Sequence, residues 1–208
     1  MKNNKRMNES DQEEIDLSRR KFLLGATGVL GGIGMLGLLT PFLASWRLSS
    51  KAKALGAPVE CDLSLLEPGQ QMTVEWRGKP VWIIRRTEQQ LQHLANLDST
   101  KLRDPNSNVD QQPDYAQNAY RSRKPEYLIL VGICTHLGCS PKYKPTLGEL
   151  GKDWPGGFFC PCHGSTFDLA GRVFKGVPAP INLVVPPHQF VDEQMVIIGV
   201  DGQNPLDV

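Results

Sequence analysis

The sequence predicts an all-β head, a small antiparallel sandwich or barrel, carried on a single N-terminal transmembrane helix. Three observations point there. Residues 22–46 run for 25 positions without a charged side chain. Beyond residue 58 the apolar residues fall in short runs bounded by Gly, Pro, Asn and Asp, the pattern of short strands and turns. Four of the five cysteines and two of the four histidines lie in two short stretches, CTHLGC at 134–139 and CPCHGS at 160–165.

The length of 208 residues suits one domain of about 150 residues plus an appendage. A net charge of +1 gives no reason to expect nucleic acid as a partner. Five cysteines are too few for a disulfide-dense scaffold, and their clustering points to a site.

Residues 1–17 are polar with both signs of charge and read as a disordered cytoplasmic tail. Residues 18–46 follow as the anchor. A helix apolar all round is either deeply buried or spans a membrane, and this run exceeds the roughly 20 residues a bilayer requires. Ala52-Lys53-Ala54 has the form of a signal-cleavage site. The apolar run is longer than the roughly 7–15 residues of a cleaved signal, so an uncleaved anchor is expected. Six Lys and Arg precede the run and three follow it closely (Arg47, Lys51, Lys53). That asymmetry puts the N-terminus in the cytoplasm and the head in the periplasm, on a bacterial inner membrane crossed once. Ser18-Arg19-Arg20-Lys21-Phe22-Leu23 resembles a twin-arginine export signal. That route carries folded proteins, often with a cofactor inserted before export.

Residues 47–58 are small and polar and read as a flexible linker, leaving 59–208 as the head. MTVEW and VWIIRR flank Arg77-Gly78-Lys79-Pro80 and predict a hairpin. Thr87 and Gln90 form a capping box for a short helix with Leu91, Leu94 and Ala95 on one face. Residues 100–125 are loop-like. Strands are expected at 127–133, ending at Cys134, and at 156–159, ending at Cys160. NLVV at 182–185 and MVIIGV at 195–200 give two more.

Gly138 and Pro141 in one motif, and Pro161 and Gly164 in the other, suit tight loops. Together the loops offer four cysteines and two histidines. A zinc site would take four ligands and leave two residues over. An iron–sulfur cluster on four cysteines would leave both histidines unexplained. A binuclear cluster with two cysteines and two histidines, plus one disulfide, uses all six. Taking Cys134 with His136 and Cys160 with His163, each loop gives one thiolate and one imidazole and keeps one cysteine, Cys139 or Cys162.

In CTHLGC and CPCHGS the chain strongly resembles the Rieske iron–sulfur proteins. With the arginine pair and anchor, it resembles the iron–sulfur subunits of bacterial cytochrome bc complexes. The resemblance implies a Rieske head with a cluster-binding subdomain and one 2Fe-2S cluster. Cys134, His136, Cys160 and His163 would be the metal ligands, and Cys139 and Cys162 the disulfide. It also implies that His136 or His163 accepts a hydrogen bond from quinol bound in cytochrome b. The electron would pass on to an anchored c-type cytochrome, within a dimeric complex. Leu137 would cover the cluster and pack on the partner. Ser165 would donate to a cluster sulfide. Gly176-Val177-Pro178-Ala179-Pro180 resembles the shielding proline loop, one residue longer than the usual form, and places Pro178 in that role. Where respiratory members commonly carry a tyrosine that donates to a ligand sulfur, this chain has Phe167, which implies a lower midpoint potential.

Charge explains the use of histidine. Two ferric ions, two sulfides and two thiolates cancel when the imidazoles are neutral, whereas four thiolates would leave the cluster negative. Such centres therefore sit at about −150 to +300 mV, against about −400 mV for plant-type ferredoxins. A Rieske dioxygenase or its ferredoxin would lack Cys139, Cys162 and the anchor. The small subunit of an arsenite oxidase would lack a long retained anchor. Cys61 reads as a small apolar strand residue, and His93 and His188 as histidines outside the site.

Overall fold

The computed structural model describes residues 9–46 and 56–201, with side chains from Leu17 onward in the first stretch. Most of the segment read as a linker, 47–55, lies outside the described residues.

Helix α1 (Glu9–Ser45) begins inside the segment read as a disordered tail. Its Leu17–Ser45 portion, 29 residues, is long and apolar enough to cross a membrane. At about 1.5 Å per residue it exceeds the roughly 30 Å of a hydrocarbon core. Phe22, Leu23, Leu24 and Val29, which point in different directions round the helix, are all largely exposed, so its apolar surface is not confined to one face.

The head contains nine short strands among its described residues: β1 (Val59–Asp62), β2 (Gln71–Trp76), β3 (Lys79–Arg85), β4 (Tyr127–Val131), β5 (Lys142–Lys144), β6 (Gly157–Phe159), β7 (Thr166–Phe167), β8 (His188–Phe190) and β9 (Met195–Ile198). They form three antiparallel sheets in the orders β1-β9-β8, β2-β3-β4 and β5-β6-β7. The middle sheet explains the apolar runs of the sequence. Val81, Ile83, Ile129 and Val131 pack with Cys61, Val196 and Ile198 of the first sheet. Trp82, Ile84, Leu128 and Leu130 point the other way and pack with Phe158, Phe167, Cys134 and Cys160. A strand buried on both faces cannot alternate with polar residues, which is why VWII and YLILV read as continuous apolar runs.

The β2–β3 turn contains two residues, not the four expected. Arg77 (φ 53°) and Gly78 (φ 70°) both take positive φ, the geometry of a type I′ turn, so Lys79 and Pro80 join the strand. Helix α2 (Glu88–Ala95) has the expected capping box. Thr87 Oγ1 accepts from the Gln90 N–H at 3.2 Å and Gln90 Oε1 accepts from the Thr87 N–H at 2.9 Å. Its buried face differs from the expected one: Gln90 and Leu94 are buried and Ala95 is exposed. The Gln90 amide also donates to the Tyr143 hydroxyl at 3.0 Å, which turns that face inward. Residues 182–185 are not a strand. The Leu183 N–H donates to Gly171, the Val185 N–H to Gln111, and the Val184 carbonyl accepts from Val131, three separate partners, and Pro186 and Pro187 supply no N–H to extend a ladder. The strand forms after the prolines instead, at β8.

Cys61 is buried in the first core, as a small apolar residue would be. His188 is fully buried. Its ring Nδ1 lies 2.9 Å from the Pro186 carbonyl, and its Nε2 has no partner among the described residues. Burial pushes its pKa down to about 4, against the opposing pull of the Pro186 carbonyl. The unfolded chain therefore takes up a proton near pH 6.5 that the folded chain refuses until about pH 4. Stability should be fully present above pH 6.5 and fall by up to about 3 kcal/mol as pH drops to about 4. Urea unfolding of the detergent-solubilised protein against pH checks this, and His188→Gln should flatten the slope in that window.

Candidate metal centre

The two motif loops close in the same way. In the first, the Cys134 N–H donates to the Cys139 carbonyl at 2.7 Å and the Gly138 N–H to the Cys134 carbonyl at 3.0 Å. In the second, the Cys160 N–H donates to the Ser165 carbonyl at 2.8 Å and the Gly164 N–H to the Cys160 carbonyl at 2.9 Å. Each loop is thus a six-residue turn with a cysteine first and a glycine fifth. Gly138 (φ 83°) and Gly164 (φ 75°) take the left-handed conformation that lets the chain double back. Cys134 and Cys160 occupy equivalent places, and each follows soon after a buried strand, β4 or β6.

The disulfide joins Cys139 to Cys162, with Cα atoms 6.6 Å apart, and so ties one loop to the other. Cys134 and Cys160 are free and buried at 3% and 1% exposure. The sulfurs of Cys139, Cys160 and Cys162 also lie within 4.8 Å of one another. Two of those three are spent in the disulfide, so their closeness reflects the clamp rather than a donor set. Cys134 and Cys160 lie in one buried apolar core. Burial pushes the Cys134 thiol above its usual range. The His136 main-chain N–H opposes this, the Cys160 thiol adds to it, and the Ser165 hydroxyl opposes it. So placed, the Cys134 thiol is a poor acid alone, and a bound cation reverses that preference.

The imidazoles segregate to the other side. His136 is half-buried, His163 is exposed, and their rings meet edge to face with centroids 4.8 Å apart. The donors therefore form a buried sulfur pair and a solvent-facing nitrogen pair. A [2Fe-2S] cluster with cysteines on one iron and histidines on the other requires that division, so the residues present fit it.

Around the loops, the Ser165 Oγ accepts from the Ala179 N–H at 3.0 Å, which leaves its own proton free to donate. Thr135 Oγ1 donates to the Ile181 carbonyl at 2.7 Å. The 176–181 segment is thereby pinned to both loops. Pro178 itself is exposed, and the fully buried residue of the segment is Ala179. Leu137 is 71% exposed beside the histidines. Phe167 is fully buried and pairs with Phe158. The sequence reading missed Thr135 and Ala179. Thr135 sits inside the first motif and offered a signal. Ala179 contributes only a main-chain N–H, which a sequence does not display.

Residues 105–187 match the Rieske [2Fe-2S] domain family, which is the class that this fold and donor set define. The chain is 55% identical over 189 residues to the ubiquinol–cytochrome c reductase iron–sulfur subunit of Allochromatium vinosum, covering 90% of this chain and 91% of that one. It is 42% identical to the corresponding subunit of Blastochloris viridis, covering 91% of this chain and 97% of that one. A chain of a hyperthermophilic respiratory Complex III overlays with a TM-score of 0.45 at 28% identity, over 85% of this chain and 98% of that one. The chain belongs to the iron–sulfur subunits of ubiquinol–cytochrome c reductase, electron-transfer subunits of an oxidoreductase complex.

The disulfide spans 23 residues of sequence, a closure worth about 3 kcal/mol by loop entropy. Cys139→Ser should lower both the thermal stability of the protein and its cluster content, as read by unfolding scans and iron and sulfide analysis. A full cluster at unchanged stability would show that the main-chain closures hold the loops unaided.

Proposed function

We propose that Cys134 and Cys160 hold the inner iron of the cluster and His136 and His163 the outer iron, and that the chain takes electrons from quinol at cytochrome b and delivers them to an anchored c-type cytochrome. The observation that carries this is the division of donors, with sulfurs buried and imidazoles at the surface beside exposed Leu137. When bound, the cluster supplies a one-electron centre at about −150 to +300 mV, positive enough to oxidise a quinol. The residues do the rest. His136 and His163 each keep one ring nitrogen for the outside. That nitrogen accepts the hydrogen bond of a quinol hydroxyl and holds its proton. Leu137 supplies apolar contact to the partner and keeps water from the donor–acceptor gap. The buried sulfur side faces the core, so a partner reaches the site only through the histidines. The apolar α1 anchors the chain to the membrane. We place the head in the periplasm, with the arginine pair as its export address and two copies of the chain in a dimeric complex.

EPR of reduced membranes, with and without a quinol-site inhibitor, tests the docking. A Rieske signal whose line shape shifts with the inhibitor is expected. A signal that ignores the inhibitor overturns quinol contact at this site.

Phe167 tests the tuning. It fills the place of a hydroxyl donor with a ring alone, and one hydrogen bond to a ligand sulfur is worth roughly 1–2 kcal/mol, or roughly 40–90 mV for one electron. Phe167→Tyr should raise the midpoint by that order in a redox titration. An equal or lower midpoint with the cluster intact shows that the sulfur finds its donor elsewhere.

A further inference from the structure

More positive than negative charge is buried around the turn after β7. Arg86, Arg121 and Arg172 are 2%, 0% and 6% exposed, and the one buried carboxylate among the described residues is Asp168, at 1%. Arg172 pairs with Asp168 through an Nε to Oδ2 hydrogen bond of 2.7 Å. The other two guanidiniums are solvated by neutral groups. Arg86 donates to the carbonyls of Pro125, Tyr120 and Leu169 and to the Ser122 hydroxyl. Arg121 donates to the carbonyls of Ala170 and Gly171 and to the Gln112 amide oxygen. Its Nε has no partner among the described residues. Half-buried Asp104 also acts on Arg121, but its carboxylate is engaged by the N–H groups of Asn108 and Val109. Even counting Asp104, one positive charge is left over. Burial pushes Arg86 and Arg121 down to about 10, so both stay charged at neutral pH.

This charge lies behind the cluster loops. A side chain at Gly171 would meet both Leu130, at 2.9 Å, and Arg121 Nη1, at 3.3 Å. Leu130 belongs to the same apolar core as Cys134, Cys160, Phe158 and Phe167. Arg121 thus lies behind Leu130, at the back of the apolar core that holds the two thiols. Through such packing a charge is screened much less than it is in water.

We propose that Arg86, Arg121 and Arg172, under-compensated by Asp168, set the redox potential of the site: their surplus positive charge favours the state that has gained an electron and raises the midpoint. They are positioning residues that act through the field and touch neither ligand nor substrate. The proposal rests on the reading that the two loops hold the cluster, which the EPR signal of the wild type reports independently.

The test is an EPR-monitored redox titration of the intact complex in membranes, with mediators supplying the electron. Asp168→Asn removes the counter-charge and should raise the midpoint. Arg121→Met removes a cation and should lower it. Each shift should reach up to roughly tenfold in the reduced-to-oxidised ratio at fixed ambient potential. Arg121→Lys keeps the charge and should stay near wild type. A purely structural role predicts unchanged midpoints, or shifts of the same sign, in Asp168→Asn and Arg121→Met, and either result overturns the proposal. If Arg121→Met loses the cluster, Asp168→Asn decides alone, since asparagine keeps the shape of the side chain. A wild type without a Rieske signal would instead sink the ligand assignment.

Discussion

Two thiols have to be kept dry while two imidazoles, only two and three residues along the chain, have to reach solvent. Much of the head follows from that demand. In a strand, residues two apart share a face, so Cys134 cannot be buried with His136 at the surface unless the chain turns. Both loops turn in the same way, with main-chain closures between first and sixth residues and between fifth and first. The glycines at the fifth place, Gly138 and Gly164, carry the positive φ that the turn requires. Polar main-chain groups beside a dry sulfur pair are thus satisfied inside each loop.

The loops need a platform, and the middle sheet provides it. Trp82, Ile84, Leu128 and Leu130 form a floor on which Cys134, Cys160, Phe158 and Phe167 pack. Trp82 stacks on Phe158 with ring planes 13° apart. The opposite face of the same strands is covered by the first sheet. A change in either core is therefore transmitted through one pair of strands. Gly157, at the start of β6, shows how little room there is: a Cβ there would stand 2.0 Å from the Phe167 carbonyl oxygen.

Charge is arranged with the same economy. The solvent side of the site carries the two imidazoles. The inner side carries thiols, and beyond the apolar layer lies a set of arginines answered mostly by carbonyls. Those arginines also tie the 168–172 turn to the irregular 100–125 segment, which has little apolar surface of its own. Electrostatics and architecture are served by the same side chains.

The ligand types, their loop spacing, the capping box of Thr87 and Gln90, and the long apolar helix were legible in the sequence because each depends on local chemistry. A run such as YLILV announces a buried strand before any partner is known. What the sequence did not display is whatever depends on a distant partner. NLVV has the composition of a strand, but two prolines follow it and its main chain bonds to three separate segments, so no ladder forms. The two-residue turn at Arg77 and Gly78 followed from register, which the pairing of β2 with β3 sets. Arg121 looked like one more polar residue in a loop, yet it is fully buried. Its place is decided by carbonyls 49 and 50 residues further on. The division between a dry sulfur pair and a wet nitrogen pair belongs to the tertiary structure as well. Burial is a property of what covers a residue, and both loops must be assembled before anything covers the sulfurs.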